Sequence, residues 1–138
     1  MNIIFSLLLA LISPIFLLPI EHVFNYPYVI EELIKFFAIS LIIKQSKHTG
    51  NNYLIFAILV GVLFTISESI LYLVNFLSDG TLMFFPQRLF FTGILHCSTC
   101  ALIYILGKKN WLFLILGLAI SILIHYYFNE IISGINNF

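Results

Sequence analysis

Apolar residues run along the chain in five long blocks, each broken from the next by a short polar stretch. A transmembrane barrel strand would read as about ten residues of alternating polarity, whereas these blocks are continuous and about as long as a bilayer-crossing helix. The pattern predicts helical spans over residues 1–20, 28–43, 53–77, 84–106 and 111–132. The connections, 21–27, 44–52, 78–83 and 107–110, are turn-like in composition and short, so successive helices run antiparallel. The expected fold is an all-α integral membrane protein, one five-helix bundle filling residues 1–138 as a single domain. No internal repeat, low-complexity tract or composition shift marks a second unit.

Composition sharpens this picture. Of 138 residues 62% are apolar and 9% charged, against about 45–50% and about 25% in soluble domains, and mean hydropathy is +1.11. The bilayer itself is therefore a partner. Six basic residues balance six acidic ones, leaving no basic surface to hold a phosphate backbone, so nucleic acid is excluded as a partner. The first block lacks a basic start and a small-residue cleavage site, and ends at Pro19 and Glu21, so it reads as a span and not a signal peptide. Lys44 and Lys47 in one loop and Lys108 and Lys109 in another lie on one side, with Glu21 and Asp79 on the other. The positive-inside rule then puts the lysine loops and the amino terminus in the cytoplasm and the carboxyl terminus outside.

The polar groups left inside the spans carry the chemistry. The second span holds Glu31, Glu32 and Lys35, and a charge at a helix centre costs about 2.5–3.5 kcal/mol while each Leu, Ile, Phe or Val returns about 0.3–0.6. That helix needs a bundle around it. Glu31 and Lys35, four apart, form the simplest ion pair, which leaves Glu32 as a carboxylate with no packing reason to be there. Glu68 lies in the third span on one stripe with Phe64 and Tyr72, whose hydroxyl could instead cap a protonated Glu68. The fourth span offers Arg88 near its outer end, His96 near its middle, and Cys97 and Cys100, which read as small packing residues more readily than as metal ligands. In the fifth, His125 and Asn129 share a face, while Glu130 and the loop lysines read as solvated.

Depth joins these groups. At a rise of about 1.5 Å per residue, Glu31 and Glu32 lie about 17–20 Å from the cytoplasmic ends, Glu68 about 22 Å, His96 about 15 Å and His125 about 21 Å. Four helices thus bring ionisable groups to one layer. Carboxylates with two imidazoles make either a metal site or an acid/base site.

Glu31-Glu32-x-x-Lys35, Phe64-x-x-x-Glu68-x-x-x-Tyr72, His96 and His125-x-x-x-Asn129, in order on four successive helices, resemble the motif series of the PrsW-type intramembrane proteases, relatives of the type II CAAX prenyl proteases. The resemblance covers residues 31–129. It implies hydrolysis of a peptide bond in a membrane protein or peptide, in a prokaryotic cell membrane. On that likeness Glu31 or Glu32 activates water, and Glu68, His96 and His125 hold the water or a metal such as zinc. Asn129 supports His125 or the oxyanion, and Lys35 tunes the glutamates, with Tyr72 and Arg88 in support. Phe36 stands where the CAAX branch would not have it, so prenylated substrates are not expected. A non-catalytic, immunity-like membrane protein and a proton or cation carrier are the rival classes, since both could use the same polar core.

Overall fold

The computed structural model describes residues 2–21, 26–78 and 82–136. These form five α-helices, α1 (Asn2–Glu21), α2 (Pro27–Thr49), α3 (Leu54–Ser78), α4 (Phe85–Gly107) and α5 (Trp111–Asn136), with a single 3-10 turn, Leu82–Phe84, before α4. Among the described residues there is no strand.

Helix α2 runs six residues past its expected end at Ile43. Its extra turns carry Lys44, Gln45 and Lys47, which are good helix formers, and Lys47 and His48 complement the negative end of the helix dipole. Gly50 stops it in the left-handed region, φ 73°, with its N–H donated to the Ser46 carbonyl at 2.9 Å. At the other end Pro27 supplies the fixed φ of a first helical turn. The connection expected over 44–52 therefore shrinks to a few residues. Asp79 and His22, together with the Glu21 side chain, lie outside the described residues.

Helix α2 is the hub. It packs against each of the other four, whereas α1, α3, α4 and α5 touch in that order as an arc around it, and neither α1 with α5 nor α3 with α5 meets among the described residues. The direction of each helix follows from its pairings. Tyr53 meets Tyr104 and Tyr72 meets Arg88, so α3 and α4 are antiparallel. Ser121 reaches Thr99, and the ring of His125 reaches that of His96, so α4 and α5 are antiparallel as well. Ser46 pairs with Tyr104 and Lys35 with His96, so α2 and α4 run parallel. The most charged helix is thus the most enclosed, the one place in the bundle where its cost can be offset by partners.

Among the described residues three helices are long and apolar enough to cross a membrane, over 54–73, 85–107 and 111–132; α1 carries a shorter apolar stretch, 3–17. Polarity is inverted relative to a water-soluble fold. Large apolar side chains such as Phe5, Phe16, Ile55, Ile70, Phe90, Leu112 and Leu123 are exposed, while Glu32, Lys35, His96, Thr99 and Ser121 are buried.

Two small-residue devices set the helix spacing near the polar core. A Cβ on Gly61 would stand 2.7 Å from the His96 carbonyl group and the Cys97 nitrogen, so only glycine lets α3 lie against the backbone of α4 there. Thr65, one turn on, folds its hydroxyl back to the Gly61 carbonyl at 2.8 Å. At the opposite end from the charged layer, the buried Tyr104 hydroxyl donates to Asn52 Oδ1 (3.1 Å), accepts the Tyr53 N–H (2.7 Å) and lies 3.1 Å from Ser46 Oγ. That contact clasps the α2–α3 connection to α4.

Candidate active site

The ionisable residues of four helices meet at the centre of the bundle. Lys35 Nζ donates to Glu32 Oε1 at 2.6 Å and lies 2.7 Å from His96 Nδ1. His96 Nε2 is 2.6 Å from Glu68 Oε2. His125 Nδ1 is 2.9 Å from that same Glu32 oxygen, and its Nε2 is 3.8 Å from Glu31 Oε2. Phe64 floors the group, its ring 5.0 Å from that of His96 and 4.9 Å from Lys35 Nζ.

Partner chemistry assigns the protons. An ammonium only donates, so His96 accepts at Nδ1 and carries its hydrogen on Nε2, where it donates to Glu68. A carboxylate only accepts, so His125 donates from Nδ1 to Glu32 and turns the Nε2 lone pair towards Glu31. A carboxylate that fixes the tautomer and orientation of an imidazole in this way leaves its second nitrogen ready to take a proton. The 3.8 Å gap between His125 Nε2 and Glu31 Oε2 is too long for a hydrogen bond, and that carboxylate oxygen is buried.

The pairing differs from the sequence expectation at Lys35. Its short bond goes to Glu32, three residues back, and not to Glu31, four back. Both spacings bring helical side chains together. The choice falls to Glu32 because that residue points into the bundle with Lys35, both side chains fully buried, whereas the Glu31 side chain keeps 10% of its surface. Glu32 Oε2 is buried without a hydrogen-bond partner.

Asn129 does not join the cluster. It is exposed, and both nitrogens of His125 face the glutamates of α2. The reason is the end of α2: Tyr28, near its start, already packs against Tyr126 at 5.7 Å between ring centres, so Asn129 lies where the bundle opens. Tyr72 serves as a platform, with the Arg88 guanidinium 3.6 Å above its ring. Cys97 and Cys100 are both free thiols, Cys100 buried. Sequence reasoning did not single out Gly61, although its spacing to Thr65 is a small-x-x-x-small signal for close helix packing. Tyr104 carried no such signal, since an aromatic residue near a helix end reads first as an interface anchor.

The metal expectation needs a change of ligands. The residues whose donor atoms lie within 4.8 Å of one another are Glu31, His96 and His125, so Glu31 stands where Glu68 was expected. Glu68 instead accepts from His96. A zinc site takes at least three protein ligands. Here both nitrogens of His96 are engaged, Nδ1 by the Lys35 ammonium and Nε2 by Glu68. Glu31, His96 and His125 would be the residues to hold a divalent metal, and His96 would have to give up its contact with Lys35 or Glu68 to do so.

No protein-family model matches the chain, and neither a curated protein nor a solved structure matches it.

Proposed function

We propose that this chain is a five-span membrane-embedded endopeptidase of the PrsW type, cleaving a peptide bond of a membrane protein or peptide with water activated by Glu31 and His125. The observation that carries the reading is the pair itself: a carboxylate and an imidazole lone pair 3.8 Å apart, with the imidazole oriented from behind by a second carboxylate. Amide hydrolysis needs a deprotonated water, and a base poised at that water contributes about 10²–10⁴ in rate. In the proposed reaction Glu31 takes the water proton and the oxygen adds to the scissile carbonyl. The C–N bond then breaks and the leaving amine takes a proton. Glu32 and Lys35 are too deeply buried to touch substrate and act as positioning residues, Glu32 on His125 and Lys35 on Glu32. Asn129, exposed and one turn from His125, is left with the oxyanion role that the resemblance gives it.

The five-span topology extends the three apolar helices to α1 and α2. It is supported by aromatic side chains at both ends of the bundle, with Tyr26, Tyr28, Tyr126 and Tyr127 in contact at one and Tyr53, Tyr104 and Trp111 at the other. With 23 residues, α2 reaches about 35 Å at about 1.5 Å per residue, enough to cross.

The test is release of a fragment from co-expressed single-span membrane proteins at matched protein levels. Glu31→Gln should abolish cleavage and Glu130→Gln, on the exposed end of α5, should leave it unchanged. Cleavage should also survive chelation. A Glu31→Gln protein that cleaves at the full rate would overturn the reading.

A further inference from the structure

The pairwise contacts of the site join into one chain: Glu31, His125, Glu32, Lys35, His96, Glu68. The successive separations are 3.8, 2.9, 2.6, 2.7 and 2.6 Å. Burial follows the order of the chain. The side chains in the middle, Glu32, Lys35 and His96, are 0% exposed and His125 is 5% exposed, whereas the two ends keep most contact with the outside, Glu31 at 10% and Glu68 at 15%. The chain also folds back on itself, because a nitrogen of His96 lies within 4.8 Å of donor atoms of both Glu31 and His125. The two least enclosed carboxylates of the cluster, Glu31 and Glu68, are thus its two ends, joined through groups that each pair a donor with an acceptor.

We propose that this horseshoe is a proton relay and that Glu68 is the acid that protonates the leaving amine. The proposal rests on the hydrolytic reading and adds the second half of its proton inventory. Glu31, having taken the water proton, passes it to His125 Nε2 as the two side chains close their 3.8 Å gap, and the Nδ1 hydrogen of His125 moves to Glu32 Oε1. Lys35 gives one Nζ hydrogen to His96 Nδ1 and recovers one from Glu32. His96 Nε2–H delivers its hydrogen to Glu68 Oε2. The sum is Glu31 ionised again, Glu68 protonated and every intermediate group with its original charge. Glu68 then donates to the amine nitrogen as the C–N bond breaks. Both imidazoles end in the opposite tautomer, and one proton taken up by Glu68, that of the newly formed carboxylic acid, passes back along the chain and leaves from Glu31, which resets them.

His96→Gln tests the relay without dismantling the site. The glutamine carbonyl can accept from Lys35 and its amide can donate to Glu68, but an amide does not hand a proton on. Glu68→Gln keeps the acceptor for His96 and removes the acid. Each variant is assayed on a fluorogenic apolar peptide amide that the wild type cleaves and on the nitrophenyl ester of the same acyl chain, whose leaving group departs without a proton. The expected result is at least a tenfold loss of kcat on the amide with KM unchanged, and near wild-type kcat on the ester. Equal losses on both substrates would mean that these residues only hold the fold, and the relay would be wrong. Full amide activity in both variants, with Glu31→Gln inactive, would also overturn the relay while leaving hydrolysis standing. Full activity in Glu31→Gln would remove the hydrolytic reading beneath it.

Discussion

Lys35 has two glutamates within one helical turn, and its short bond to Glu32 separates what each of them does for the fold. Removing one partner of a buried pair leaves an uncompensated charge and costs about 3–5 kcal/mol, whereas replacing both by apolar groups is close to neutral. Glu32→Gln should therefore lower the thermal unfolding temperature sharply in detergent, because the Lys35 ammonium loses its counter-charge at 0% exposure. Adding Lys35→Met to Glu32→Gln should restore most of the loss. Glu31→Gln should unfold close to wild type while losing cleavage. Sequence spacing alone, which pairs Glu31 with Lys35, predicts the reverse order of stabilities, so a melting curve for each variant decides between the two pairings.

At the scale of the helices, the position of His96 depends on how near α3 can lie to α4. Gly61→Ala places a methyl group 2.7 Å from the His96 carbonyl and the Cys97 nitrogen, and neither is a flexible side-chain end that could move aside. Overpacking of this kind costs about 1–3 kcal/mol. The α4 backbone shifts away, and the His96–Glu68 contact, made between these same two helices, lengthens. The expected outcome is a lowered unfolding temperature together with reduced cleavage. A Gly93→Ala substitution is the comparison, since its Cβ meets only a Thr65 methyl at 3.6 Å, ordinary van der Waals contact. It should cost little in either measurement.

At the scale of the whole molecule, the arc of four helices around α2 explains how a chain with so few charges can keep several of them at its centre. Apolar side chains cover the outside, and the ionisable groups are enclosed where they neutralise one another. If the lysine-bearing ends set the orientation, a reporter inserted at Gly50 should read as cytoplasmic and one fused after Phe138 as extracytoplasmic. Tyr53 and Tyr104 then mark the cytoplasmic side, and Tyr28 and Tyr126 the outer side with the charged layer nearer to it. The opposite reporter pattern would invert these labels and leave the cluster itself untouched.

Local chemistry was enough to mark out most of the helices. Unbroken apolar blocks need internally bonded backbone in a bilayer, and rise per residue sets depth whatever the neighbours do, whereas the end of α2 at Gly50, six residues past Ile43, was not read from the pattern. The residues that meet at the site, from Glu31 to His125, were legible for the same reason: an ionisable group in an apolar block is costly wherever the block packs. The partner of each group was not legible. Offsets of three and four are both near on a helix, so only the rotation of α2 inside its arc decides that Lys35 takes Glu32. The exposure of Asn129 depends on where α2 starts beside α5, and the engagement of both His96 nitrogens depends on α2 and α3 approaching α4 from two sides. Those are properties of the packed bundle, because a helix fixes the spacing of its own side chains while its neighbours fix which way they face.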